Sequence, residues 1–169
     1  LHRLAKAYRE ALRASGCHVI AVVGSNGKTT TRHLIHTVLS STLKGTQSPK
    51  SFNNHLGVPL TLLGASLDDD FLVAEVGTNH PGEIDALGEL LKPDAAVITC
   101  IGKEHMEFFK DLQGVANEEA AITRHLPDRA NVFIESDAYQ WVRHAPSFNN
   151  KTCVIIYPTD CNPATPALS

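Results

Sequence analysis

The sequence predicts an α/β domain of three layers, with a mostly parallel central sheet and helices on both of its faces. Two observations carry this expectation. Short apolar runs alternate along the chain with segments of helical period, as they do where strands are joined by helical crossovers. The strongest runs, "FLVAEV" and "AAVITCI", are apolar on both faces, the mark of strands covered from both sides.

The elements follow in order. "LHRLAKAYREALRASG" is an amphipathic helix pattern leading into the domain at residues 1–16. Strands are expected at 17–23 ("CHVIAVV"), 44–48 (weakly, "KGTQS"), 71–76, 95–101, 131–135 ("NVFIE") and 152–157 ("TCVIIY"). Helices are expected between them at 28–42, 57–65, 83–92, 112–126 and 137–144. Pro93-Asp94 and Pro127-Asp128 mark helix ends, and Gly82-Glu83 marks a helix entry. The acids of "LDDDF" are expected in a solvated turn. The main domain is taken as 17–158, and "TDCNPATPALS" at 159–169 reads as a linker or frayed end.

Composition narrows the class. The chain has 169 residues, 43% hydrophobic and 20% charged, which suits one globular domain able to bury a core. A net charge of −3 leaves no basic footprint for nucleic acid. Apolar runs such as "VIAVV" are far shorter than the roughly 20 residues of a membrane span. Cys17, Cys100, Cys153 and Cys161 have no C-x-x-C spacing, so free thiols and a cytoplasmic setting are expected. No signal peptide is visible, and the absence of a starting Met is what a piece of a longer protein would show.

In "VIAVVGSNGKTTTRHLIHTVL" a strand-like run breaks at Gly24 and becomes a helix pattern at Lys28. The usual phosphate loop reads G-x-x-x-x-G-K-[ST], which puts Val22 where the first glycine belongs. Gly24 can supply the turn in a shorter loop. Gly24, Ser25, Asn26 and Gly27 would bring backbone N–H groups to phosphate oxygens. Lys28 would reach the terminal phosphates, and a Thr29 or Thr30 hydroxyl would bind Mg²⁺. Open α/β sheets gather ligands at the carboxyl ends of their strands. Segments 24–30, 75–80 and 102–105 all fall at such ends. His33 and His36, at i and i+3 with no carboxylate partner evident, read as a solvated helix face.

Three further segments, "KSFNNHLGVPLTLL", "AEVGTNHPGEID" and "ITCIGKEHMEFFKDLQGVANEEAAI", resemble in order and spacing the central ATP-binding domain of the Mur ligases. The likeness covers roughly 17–145, and "NHPGEI" is closest to the MurF type, the UDP-N-acetylmuramoyl-tripeptide–D-alanyl-D-alanine ligases. "GSNGKTT" is that family's form of the loop. The resemblance implies a P-loop NTPase-like fold, ATP and Mg²⁺ as cofactors, and an ADP-forming amide ligase. Such an enzyme activates a UDP-MurNAc-peptide carboxylate as an acyl phosphate for attack by a D-Ala-D-Ala-like amine. It further implies that Thr29 and Glu75 stand at the nucleotide's Mg²⁺ and His105 at a second metal. Asn53 and Asn54 would lie near the phosphates, and Asn79 and His80 on the substrate side. N- and C-terminal domains of the same ligase, outside this chain, would complete the site, so the isolated domain is expected to turn over little.

The chain departs from the family twice. Mur ligases commonly carry a carbamylated lysine in the helix after "GV-A", where this sequence has Glu119. Glu119, or its neighbour Glu118, is expected to take over that charge compensation, placing Glu119 with Lys28 and His105 among the catalytic residues. Glu135 stands where the family has an adenine-holding Asn, and only Asp137 remains of an acidic pair. The alternatives are a nucleotide-binding module without chemistry, for which these departures argue, and a folylpolyglutamate- or cyanophycin-type ligase, against which "FNNHLGVP" and "NHPGEI" speak.

Overall fold

The computed structural model describes residues 1–103, 106–148 and 151–157. His105 and the tail at 159–169 lie outside the described residues. The elements run α1 (His2–Ala14), β1 (His18–Val23), α2 (Lys28–Leu39), β2 (Gly45–Gln47), α3 (Gly57–Gly64), β3 (Phe71–Glu75), α4 (Glu83–Leu91), β4 (Ala95–Ile98), α5 (Met106–Phe109), α6 (Leu112–Ala120), a 3₁₀ turn (Ala121–His125), β5 (Asn131–Glu135), α7 (Ser136–Val142) and β6 (Thr152–Ile156). Every expected strand and helix is present. The strands form one six-stranded sheet in the order β2-β3-β1-β4-β5-β6, and all of its pairings are parallel.

That order explains how the helices divide. The step from β1 to β2 runs one way across the sheet, and every later step runs the other way. Right-handed crossovers therefore send α2 to one face and α3, α4, α6 and α7 to the opposite face. The larger core lies on that second face and joins Leu62, Leu72, Ile84, Leu91, Ile122 and Ile134. The α2 face holds a smaller cluster of Val22, Phe71, Val73 and Val97, with Ile35 and Leu39 packed against it. Val154 and Ile156 of the edge strand β6 remain 39% and 49% exposed.

Helix α1 buries Ala5, Arg9 and Leu12, one stripe of its amphipathic pattern. The buried Arg9 donates through Nε to Leu91 O at 2.7 Å and through Nη2 to Lys92 O at 2.8 Å and Asp94 Oδ2 at 2.9 Å. Asp94 Oδ2 also accepts Val19 N at 2.8 Å. The Pro93-Asp94 punctuation thus becomes the joint that fastens α1 to the foot of β1. Beside it, burial pushes the Cys17 thiol up to about 11.

Four expectations needed correction. β4 leaves the sheet after Ile98, because Thr99 and Cys100 turn to bond the loop after β1. The helix expected at 112–126 tightens into the 3₁₀ turn after Ala120. Asp69 of "LDDDF" is buried, with Oδ2 accepting Thr46 Oγ1 at 2.7 Å and Ser66 N at 2.9 Å. His36 is half-buried, its ring 5.7 Å from that of Phe71.

Candidate functional site

β1 lies between β3 and β4 in the sheet, where the strand order reverses, and their carboxyl ends form the crevice where such sheets bind ligands. The loop from Gly24 to Gly27 joins β1 to α2. Val22 is fully buried in β1, in register with Glu75 and Val97, so the turn begins at Gly24. Gly24 has φ +120° and Gly27 φ +82°, conformations that suit glycine. α2 opens at Lys28 without a side-chain cap, leaving the positive end of its dipole toward the loop. The Lys28 ammonium folds back over the loop, donating to Gly24 O at 2.6 Å and Ser25 O at 3.0 Å.

The segment after β4 holds this loop in place. Ser25 N donates to Cys100 O at 2.9 Å, and Gly102 N donates to Ser25 Oγ at 2.8 Å. Thr99 Oγ1 donates to Asn26 O at 2.6 Å, while Asn26 N meets Cys100 Sγ at 3.2 Å. Thr29 and Thr30 are exposed at the first turn of α2.

Glu75 ends β3 and is 1% exposed. Its Oε2 accepts Thr29 Oγ1 at 2.9 Å and its Oε1 accepts Asn53 Nδ2 at 3.0 Å. Ser48 Oγ accepts both Glu75 N at 3.0 Å and Thr61 Oγ1 at 3.2 Å. The structure separates the two asparagines. Asn53 points to Glu75, whereas Asn54 Oδ1 accepts Leu56 N and Gly57 N at the entry of α3. A carboxylate and a hydroxyl side by side are oxygen ligands of the kind Mg²⁺ prefers.

On the far side of the crevice, Glu83 Oε2 accepts Asn79 N at 2.7 Å, His80 N at 3.1 Å and Thr78 Oγ1 at 3.3 Å. The His80 ring stacks, tilted, on Phe108 at 4.5 Å. Burial alone would raise the Glu83 carboxyl, but the donors from Asn79, His80 and Thr78 outweigh it and hold it below its ordinary value. A carboxyl depressed in this way supports the fold above its unfolded pKa, and that support is lost as pH falls through the folded value. Amide exchange at Asn79 and His80 is therefore expected to accelerate as pH falls below about 4, over and above the intrinsic trend. Glu83→Gln should show the faster exchange at neutral pH.

The two adjacent acids of α6 go to different loops. Glu118, 8% exposed, accepts Gly82 N at 2.8 Å and Ile84 N at 2.9 Å. It thus caps α4 from outside and fixes the segment that carries Asn79 and His80. Glu119, 3% exposed, accepts Gly24 N at 2.8 Å. Its carboxyl group therefore rests against the loop backbone. Glu135 Oε1 and Oε2 accept Asp137 N and Ala138 N, capping α7.

Sequence reasoning missed Arg32, Ser48 and Thr61. Arg32 follows Thr29 by three positions and so shares its helix face, a spacing that was available as a signal. Ser48 and Thr61 carry none. Among the described residues no cluster of three His, Cys, Asp or Glu is arranged to hold a metal, and no helix is long and apolar enough to cross a membrane.

The family model of the Mur ligase middle domain matches residues 22–164. The chain belongs to this family. A UDP-N-acetylmuramoyl-tripeptide–D-alanyl-D-alanine ligase of Bacillus subtilis (strain 168) is 44% identical over 128 residues, which are 76% of this chain and 27% of that ligase. The MurF ligase of Thermotoga maritima, solved in complex with ADP, matches with a TM-score of 0.80 and 28% identity over 92% of this chain and 36% of its own. The apo form of L. casei FPGS covers 92% of this chain and 49% of its own, with a TM-score of 0.62 and 17% identity, a likeness of fold alone. This Mur ligase middle domain therefore spans little more than a quarter of its Bacillus relative.

Proposed function

We propose that this chain is the ATP-binding module of a MurF-type ligase, acting in the cytoplasm on peptidoglycan precursors. The observation that carries the proposal is the Thr29–Glu75 contact of 2.9 Å at the mouth of the glycine loop, where phosphates and a hard cation would meet. The identity of 44% to a UDP-N-acetylmuramoyl-tripeptide–D-alanyl-D-alanine ligase supports this reaction class. In that reading ATP gives its terminal phosphoryl group to a UDP-MurNAc-peptide carboxylate. The amine of a D-Ala-D-Ala-like dipeptide then attacks the acyl carbon, forming the amide and expelling phosphate.

The residues divide this work. The N–H groups of Gly24, Ser25 and Asn26, expected as phosphate donors, are instead taken by Glu119, the Cys100 carbonyl and the Cys100 sulfur. Those from Gly27 to Thr30 and the Lys28 ammonium would therefore hold the phosphates, with Asn53 beside them. Thr29 and Glu75 would hold Mg²⁺, whose charge would offset that of the transferring phosphoryl group. Asn79 and His80 face the acyl substrate. His105 supports a second metal position, and Glu119 supplies a fixed negative charge at the loop. The rest of the ligase, in domains before and after this one, supplies the sugar and dipeptide sites and closes over the nucleotide.

A second reading is favoured by Glu119 and Glu135, which stand in place of the family's lysine and asparagine: a module that binds nucleotide without turnover. Both readings require binding. Thermal unfolding is expected to shift upward with Mg²⁺-ATP, by roughly 2.7 kcal/mol of added stability at a hundredfold excess over Kd. Lys28→Met should lose most of that shift while keeping the unliganded Tm. No shift in the wild type at millimolar Mg²⁺-ATP would overturn both readings.

A further inference from the structure

One face of the sheet is only half covered. α2 packs over β1, β2 and β3, while the crossovers send α3, α4, α6 and α7 to the opposite face. Val22, Val97, Phe133 and Val154 are register partners across β1, β4, β5 and β6. Along that row Val22 is fully buried and Val97 nearly so, whereas Phe133 is half-buried and Val154 exposed. Cys153 and Ile155 turn to the larger core. Ile156 therefore shares the side of β6 that carries Val154 and widens the uncovered floor.

α2 gives this floor a wall. Ile35 and Leu39 pack down on the sheet, and His36 leans toward β2, its Nε2 3.2 Å from Gly45 O. Successive helix residues turn by about 100°, so Leu34 and Val38 lie on the flank away from β2. They are 58% and 68% exposed. Floor and wall form an apolar step one helix layer deep, above strands that are covered on their other face. The edge strand reads TCVII, with none of the charges or prolines that guard an open edge. Contiguous apolar surface of this kind marks an interface.

We infer that this step seats polypeptide that follows residue 169 in the full-length ligase. β6 lies at the edge of the sheet, so chain continuing from its carboxyl end can reach the α2 face without crossing another strand. This chain spans 27% of its Bacillus relative and 36% of the Thermotoga ligase, so such ligases carry most of their length outside the matched part. A segment laid on the step extends the layer that α2 begins and gives Phe133 the cover that Val22 and Val97 already have. A second copy of the chain fits less well, because the wall of α2 keeps two sheet faces from meeting. The inference rests on reading this chain as one module of a larger ligase, and it is independent of the nucleotide chemistry.

The test is hydroxyl-radical footprinting of three unsubstituted proteins: this chain, this chain with all that precedes it, and the full-length ligase. Leu34, Val38, Phe133, Val154 and Ile156 should oxidise at least about fivefold more slowly in the full-length ligase than in the other two, because an interface core packs like an interior. A second arm places p-benzoylphenylalanine at position 38 of the full-length ligase and sequences the photoproduct, which should join that position to residues after 169 of the same molecule. Unchanged oxidation in a full-length ligase that binds Mg²⁺-ATP overturns this inference and leaves the nucleotide reading standing. Protection without the following polypeptide, or a cross-link to a preceding segment or a second copy, overturns it as well. A step protected as expected in a ligase that binds no Mg²⁺-ATP upholds the inference and removes the nucleotide reading.

Discussion

Gly24→Ala is expected to destabilise the domain by about 3–5 kcal/mol and to abolish nucleotide binding. Two separate penalties meet at this residue. Its φ of +120° lies where side-chain-bearing residues are strained, and an added Cβ would come within 2.3 Å of Thr99 Oγ1 and 3.0 Å of Cys100 N and O. Thr99 cannot simply turn away, because its hydroxyl bonds Asn26 O at 2.6 Å and Val23 O at 3.1 Å. Cys100 meets the new atom with backbone, which moves only if the β1–β4 junction opens. Gly16→Ala is the control: φ is +93°, but nothing lies within 4 Å of its Cβ, so a loss of only about 1 kcal/mol is expected. Denaturant unfolding of the two variants separates strain from collision. A Gly24→Ala protein as stable as Gly16→Ala, and still binding nucleotide, would show that the loop is not locked as described.

The same junction shows where the sequence stopped being legible. The run "AAVITCI" is apolar throughout, and period alone carries it through residue 101. The strand ends at Ile98 because the next residues bond a loop more than seventy positions earlier, a fact of tertiary structure that no local pattern encodes. The six strands and the longer helices were readable, since alternation and punctuation are local signals; the four-residue α5 was not. The unequal cover of the two sheet faces was not, because it depends on the strand order. The loop itself was plain from Gly24, Gly27 and Lys28. Its supports were less so: Asn53 and Asn54 are identical in type and adjacent, yet one serves Glu75 and the other caps α3. Adjacent Glu118 and Glu119 part company in the same way, because neighbours on a helix point about 100° apart.

Glu119 separates the two readings of this domain, and two substitutions there should give different results. Its carboxylate, almost wholly buried, accepts the Gly24 N–H at 2.8 Å and so offers both an acceptor and a charge. Glu119→Ala removes both and leaves the Gly24 N–H without this acceptor in the interior. A loss of about 2–3 kcal/mol is expected, with weaker nucleotide binding because the loop loses its support. Glu119→Gln keeps an amide oxygen for Gly24 and removes only the charge, so stability and Mg²⁺-ADP affinity should remain near wild type. In the full-length ligase, ADP release by Glu119→Gln should fall at least about tenfold if the negative charge takes part in turnover, a loss of about 1.4 kcal/mol in the barrier. Wild-type turnover in that variant would reduce Glu119 to a brace for the loop. No turnover in the wild-type full-length protein, alongside normal nucleotide binding, would decide for the module without chemistry. Glu119 would then mark a loop that is still held in shape after its reaction was lost.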